Sequence, residues 1–296
     1  MNFLRRNILI NSLTAAGLLA LAENGFAQDR PTSLSRPMRL ISIGGALTEI
    51  IYLLNASKEL VGVDTTSIYP AAAIQLPNVG YARSLSSEGI LALRPTQVIT
   101  TQDAGPPAVL RQISNAGIPL AVLPSNYQFQ GVIDRVNQIG DLIYQPRRAQ
   151  DLAYQLNLEW KKTQQLVANS KTKNISVLFI LSQNPSQLMV AGQKTSADAV
   201  ITYAGAKNAI SGFSGYKPLT PEAVITANPD VILMTAQGIK AVGGIAGVVS
   251  LPGLDKTIAG RQKRIVSLET MYMLGFGPRM PLAIAELNTL LQQTMA

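Results

Sequence analysis

The densest concentration of chemically capable side chains lies in GYARSLSSEG, residues 80 to 89, where the phenol of Tyr81, the guanidinium of Arg83 and the carboxylate of Glu88 follow one another closely. What the chain lacks narrows what such groups can do. It contains no histidine and no cysteine, so a Ser-His-Asp triad, a thiol nucleophile and an ordinary zinc site are excluded, because each needs an imidazole or a thiolate. A carboxylate-based enzyme would need paired acids, and the segments expected to face a cleft show no close pairing. The residues therefore point to binding rather than catalysis.

The elements that must position these groups are signalled by an internal echo. Residues 86 to 101, SSEGILALRPTQVITT, are matched by residues 220 to 235, TPEAVITANPDVILMT, with Glu88 over Glu222 and Pro95 over Pro229. Each copy reads as a short helix opened by Ser86 or Thr220 as N-cap, stopped near the proline and followed by a buried parallel strand. Two copies about half a chain apart predict two similar lobes with a cleft between them. Strands are predicted at 39–43, 60–63, 97–101, 120–123, 175–181 and 231–234, each an apolar run bounded by turn or helix signals. Gly44-Gly45 reads as a tight turn into a helix ending near Leu54; it lacks the third glycine and the distant acidic residue of a dinucleotide site. Between the copies, residues 146 to 169 carry Ala149, Leu152, Ala153, Leu156, Trp160 and Val167 on one stripe, which predicts a single long helix opened by Pro146. A last helix is predicted from Met280 to Gln293. The expectation is an α/β chain of two Rossmann-like lobes joined by one long helix, divided into a first lobe at 28–145, a connecting helix at 146–170 and a second lobe at 171–296.

The first 27 residues read as a signal peptide. Arg5 and Arg6 precede an apolar stretch from Ile8 to about Ala22, and Gly25-Phe26-Ala27 offers small residues where a signal peptidase reads. The stretch is shorter than the roughly 20 residues of a spanning helix, and without cysteine there is no site for a lipid anchor after the signal. A soluble monomer in the periplasm is expected. The 25 basic against 17 acidic side chains suit an anionic ligand or simply keep the protein soluble. Scattered basic residues and few aromatics argue against nucleic acid.

Five segments, GYARSLS (80–86), SIGGALTEIIYLL (42–54), EGILALRPTQVI (88–99), GYKPLTPEAV (215–224) and MYMLGFGPRMP (271–281), carry a resemblance to periplasmic haemin-binding proteins, the class III substrate-binding proteins of bacterial ABC importers. The Glu-to-Pro-to-strand units are shared with vitamin B12 and siderophore binders; GYARSLS and MLGFGPR are more specific. On its residues alone Tyr81 reads as a tyrosine packed at a domain interface, and the resemblance makes it the axial ligand of haem iron. A phenolate is a hard oxygen donor that favours ferric iron, and a cation such as Arg83 favours the ionised form. In an extended strand, residues 81 and 83 would share a face.

Some family members add a second-lobe histidine from the loop after that lobe's first strand. Here the corresponding stretch is Ser182-Gln183-Asn184-Pro185, so candidates for a second-lobe contact are Gln183, Met189 and Tyr216, with water as an alternative sixth ligand. Tyr216 either ligates or stacks on the porphyrin. The resemblance implies five-coordinate ferric haem b (haemin) on Tyr81, or a stacked pair of haems. Arg83, Lys217 and Lys240 are candidates for the propionates, and Ile239, Val242, Ile245, Val248 and Val249 either wall the cleft or close onto the core as a glycine-rich surface loop. Glu88 and Glu222 each sit in the first turn of a helix, where the dipole favours a carboxylate; the resemblance makes them the docking points for an ABC permease and its ATPase. The alternative cargo in the same scaffold is a ferric siderophore or a corrinoid.

Overall fold

The computed structural model describes residues 37–184 and 187–296, the side chains of 183 and 184 excepted. The expected signal peptide and the Gln183 side chain lie outside the described residues. In chain order the elements are β1 (Leu40–Ile43), α1 (Gly45–Leu53), β2 (Leu60–Val63), β3 (Gly80–Tyr81), β4 (Ser84–Leu85), α2 (Ser87–Ala92), β5 (Gln97–Thr101), α3 (Pro107–Asn115), β6 (Leu120–Leu123), α4 (Phe129–Leu142) and α5 (Pro146–Ala168). There follow β7 (Ser176–Asn184), β8 (Gln187–Ala191), α6 (Ser196–Tyr203), β9 (Lys207–Asn208), β10 (Tyr216–Pro218), α7 (Pro221–Ala227), β11 (Val231–Thr235), α8 (Ala236–Ala241), α9 (Gly244–Val249), α10 (Ile258–Arg261), β12 (Ile265–Leu268), α11 (Thr270–Leu274) and α12 (Met280–Met295).

The first sheet has the order β2-β1-β5-β6 and is parallel throughout. Its central strands are near-continuous apolar runs because helices cover both faces. The second sheet runs β10-β8-β7-β11-β12, with β9 beside β7. It is not a clean copy of the first: β8 and β10 are antiparallel additions at one edge, so the sequence echo covers the α2–β5 and α7–β11 units and not the whole lobe. β7 also runs three residues past Leu181, and Ser182 to Asn184 pair with β8 instead of forming the expected loop. The two echoed helices differ at their starts. Thr220 accepts a hydrogen bond from the Ala223 N–H at 3.2 Å, whereas Ser86 occupies the N-cap position without a side-chain cap and the neighbouring Ser87 hydroxyl donates to Gln112.

α5 spans 23 residues, about 34 Å at the α-helical rise. Ala149, Ala153 and Leu156 are buried on its inner stripe, with Leu152, Trp160 and Val167 packed beside them. One apolar cluster passes from α1 and α4 through α5 into β7, β11 and α12. Two satellite clusters cover the far faces of the sheets. Ring contacts follow the same route, with Phe129 of α4 stacked on Trp160 of α5 at 4.8 Å and Trp160 edge-on to Tyr203 of α6 at 5.2 Å.

A polar clamp adds to this apolar joint. Arg279, at the start of α12, donates from Nε to Glu49 of α1 at 2.9 Å and from Nη2 to the other carboxylate oxygen. Its guanidinium lies 3.8 Å from the Tyr69 ring centroid and 5.0 Å from that of Tyr272. The Glu49 side chain is only 5% exposed. Burial pushes its carboxyl up from the ordinary value and Arg279 pulls it back only in part. For Arg279, burial opposes the charge, and Glu49 overcomes that to hold the guanidinium protonated.

Arg279→Gln strands the Glu49 carboxylate without its cation and is expected to cost about 3–5 kcal/mol in urea unfolding. Adding Glu49→Gln should return part of that loss, and strict additivity of the two substitutions would mean the groups are not coupled.

Candidate functional site

A cavity of about 780 Å³ lies between the lobes, within the roughly 300–1,000 Å³ typical of small-molecule and cofactor sites. Its first-lobe wall is built largely from residues at or beyond the carboxyl ends of parallel strands, with Tyr81, Ala82 and Arg83 added from the β3–β4 segment. Gly44 and Gly45 follow β1, Thr66 follows β2, Thr101 and Asp103 end β5, and Ser125 and Tyr127 follow β6. Open α/β sheets bind ligands there because the loops that leave the strands on that edge can diverge around a ligand. The second lobe contributes Leu181, Gln187, Leu188, Met189, Tyr216 and Pro218 from β7, β8 and β10, Ser196 from α6, and Thr270, Met271, Leu274 and Gly275 from α11 and its end. Most of these are apolar, so the cavity presents one mixed wall and one largely apolar wall.

The Gly44-Gly45 turn is pinned from below. The Asp64 carboxylate accepts from the Gly44 N–H at 2.9 Å, the Thr66 hydroxyl at 2.7 Å and the Ser67 hydroxyl at 2.9 Å, while the Gly45 N–H donates to Thr66 Oγ1 at 2.9 Å. These two backbone donors are committed to side chains, so the turn is a structural corner and not a phosphate cradle. Gly44 has φ 125°, in the region that favours glycine.

Tyr81 lies at the tip of a hairpin formed by β3 and β4, in which Tyr81 pairs with Ser84 across the turn Ala82-Arg83. Arg83 is therefore not on an extended strand as the sequence suggests; the reversal of the chain is what puts both side chains on the cavity wall. Tyr81 is 41% exposed. Arg83 Nη2 donates to Asp103 at 3.0 Å, and Thr101 Oγ1 donates to the other Asp103 oxygen. The hydrogen bond to Asp103 raises Arg83 against the opposing effect of burial, with the phenols of Tyr81 and Tyr127 contributing in the same direction. Burial pushes Asp103 up, but the bonds from Thr101 and Arg83 outweigh it and hold the carboxyl below its ordinary value.

Tyr216 faces the cavity from β10, with its hydroxyl 3.4 Å from Ser196 Oγ. Burial pushes this phenol up from its ordinary value, which disfavours its anion. Met189 also lines the cavity. Lys217 does not: strand alternation turns it away from its neighbours Tyr216 and Pro218, and its ammonium sits 4.6 Å from the Phe213 ring centroid. Lys240 is likewise not among the lining residues. The glycine-rich run 238–250 forms α8 and α9, where Val248 is fully buried and Ile239 and Val242 pack against the satellite cluster of the second sheet, so none of its five candidate residues walls the cavity. Glu88 and Glu222 occupy matching exposed positions in the first turns of α2 and α7, and neither is in an ion pair among the described residues.

Asp103 and Tyr127 went unmarked in the sequence, and Met271 stood out only as part of the segment 271–281. Asp103 and Tyr127 could have been found by taking the residues just past each predicted parallel strand. Tyr127 is held by the Phe276 ring at 5.5 Å, and the Phe276 carbonyl accepts from Arg135 of α4, so the floor of the cavity is braced across the lobes.

Two α/β lobes facing one another across such a cavity, joined by a single long helix, define a class III binding-protein fold. Comparison with known proteins agrees. Residues 40–271 match the periplasmic binding protein family. The periplasmic heme-binding protein BhuT, solved with two hemes, is 40% identical over 87% of this chain and 99% of its own, with a TM-score of 0.84. The periplasmic heme-binding protein RhuT from Roseiflexus sp. RS-1, solved in apo form, is 38% identical over 88% and 99%, with a TM-score of 0.85. An uncharacterized ABC transporter substrate-binding lipoprotein, YvrC of Bacillus subtilis (strain 168), is 25% identical over 86% of this chain and 80% of its own. The chain belongs to the periplasmic binding protein family, whose members bind substrates and are not enzymes.

Gly45 packs so closely that an added Cβ would lie 2.4 Å from the Thr66 carbonyl oxygen. Gly45→Ala is expected to destabilise the fold by about 1–3 kcal/mol, read as a lowered denaturation midpoint. An unchanged midpoint would show that the corner can relax.

Proposed function

We propose that this protein captures ferric haem in the inter-lobe cavity, with the Tyr81 phenolate as the iron ligand, and delivers it to an ABC permease without catalysing a reaction. The observation that carries this is the pairing of the Tyr81 phenol, accessible at a hairpin tip beside the Arg83 guanidinium, with a largely apolar wall opposite. A porphyrin is a flat apolar plate with a hard ferric centre, and such a plate fits between a hard anionic oxygen on one side and leucine and methionine side chains on the other. With no imidazole or thiol in the chain, oxygen donors and thioethers are the main side chains left to hold iron, and Asp103, the carboxylate on the cavity wall, is already paired with Arg83 and Thr101. Solved relatives at 38–40% identity are named as heme binders, which supports the same cargo here.

Tyr81 suits the ligand role better than Tyr216, because Tyr216 is held in a buried position that disfavours its anion. Tyr216 and Met189 serve instead as contacts on the porphyrin face. Glu88 and Glu222 act as the two docking points for the transporter, one on each lobe. Residues 1–27 direct export and are removed, and the mature lobes and their connecting helix divide at about 145 and 170.

Mixing the mature protein with haemin should produce a tyrosinate charge-transfer band. Tyr81→Phe should abolish the band and weaken binding about tenfold or more, equivalent to at least about 1.4 kcal/mol; a variant that keeps both would remove Tyr81 from its role. Selective binding of a cobalamin, with no response to haemin, would reassign the cargo to a corrinoid. For docking, Glu88→Lys together with Glu222→Lys should abolish uptake while haemin affinity stays at the wild-type value, and retained uptake would sink the docking assignment.

A further inference from the structure

Arg83 is the only lysine or arginine among the described residues lining the cavity, and it is already paired. Its partner Asp103 lines the same wall, and Asp103 is also the only acid there. The sequence across residues 183–186, Gln-Asn-Pro-Ser, brings no charge to the region. The cavity wall is therefore close to electroneutral, although the protein as a whole is strongly basic. A carboxylate approaching Arg83 meets Asp103 on the same guanidinium, and moving Asp103 aside would also break the bond that its second oxygen accepts from the Thr101 hydroxyl. The Arg83–Asp103 pair is half exposed, with side-chain exposures of 62% and 44%, so its own strength is modest, about 0–1 kcal/mol. It is enough to offset what one cargo carboxylate would gain there.

We infer that Asp103 is a charge-balancing residue that cancels the attraction of Arg83 for the cargo's carboxylates. Arg83 then serves the Tyr81 phenolate, and the porphyrin is held by its iron and its apolar faces, with its propionates left to solvent. Asp103 touches neither iron nor macrocycle in this assignment; it acts through Arg83. The consequence is a site that tolerates variation at the porphyrin rim and does not add rim contacts that would have to be broken on release.

This inference rests on the haem reading, and the test separates the two. Wild-type mature protein is titrated with haemin and with haemin dimethyl ester, in which both carboxylates are masked, following the visible spectrum. The two affinities should agree within about twofold, and a haemin preference above tenfold would overturn the inference without any variant. Asp103→Asn should tighten haemin about fivefold, the equivalent of the roughly 1 kcal/mol upper value for an exposed pair. Its affinity for the ester should stay unchanged, and the gain for haemin should fade as salt is raised. Unchanged or weaker haemin binding by Asp103→Asn would overturn it, as would equal tightening of both ligands, since that would mean Asp103 acts on the Tyr81 phenolate or through shape and not on the cargo's carboxylates. If wild type responds to neither porphyrin, the haem reading itself fails and this inference fails with it.

Discussion

One apolar core, passing without interruption through α5, lets two separate sheets act as opposite walls of a single cavity. The inner stripe of α5 packs on α4 and α12 and joins the cluster that fills β7 and β11. The stacked series Phe129, Trp160 and Tyr203 follows the same path, and each such ring pair adds about 0.5–1.5 kcal/mol beyond its buried area. Any large rotation of one lobe against the other would open that core to water and separate those rings. The two walls of the cavity are thereby held by a common core, and the polar contacts of Glu49 with Arg279 and Arg135 with Phe276 join them again.

Electrostatics sorts the tyrosines of this cavity by burial. Tyr216 is deep enough that its neutral form is favoured, whereas Tyr81 stands at a hairpin tip with a guanidinium two positions on in the chain. The three phenols among the described residues of the cavity are thus presented differently without any difference in residue type, Tyr216 buried and neutral, Tyr81 and Tyr127 accessible.

Much of the fold was legible in the sequence where local signals and tertiary context agree. Leu40–Ile43, Gln97–Thr101 and Val231–Thr235 are apolar runs bounded by turns, and they are the buried parallel strands. The stripe on α5 needed only helical periodicity. β3 and β4, with two residues each, are too short to show a pattern, so the hairpin that turns Arg83 was read as an extended strand. The antiparallel edge strands β8 and β10 lie in a region with no counterpart in the echo. Glu49 and Arg279 are separated by 230 positions, and no local pattern in either segment announces the other. Asp103 was missed for a related reason: its meaning comes from a tertiary contact, the backbone bonds of Leu85 and Ala82 with Gly105 that set the segment after β5 beside the β3–β4 hairpin.

The unequal starts of α2 and α7 carry a mechanical consequence. Thr220 ties the first turn of α7 through its hydroxyl, while Ser86 leaves the first turn of α2 untied from that side. The carboxylate carried on α7 thus stands on a turn closed from within by its own cap, and its counterpart on α2 on a turn tied from outside, by the Ser87 hydroxyl to Gln112 of α3.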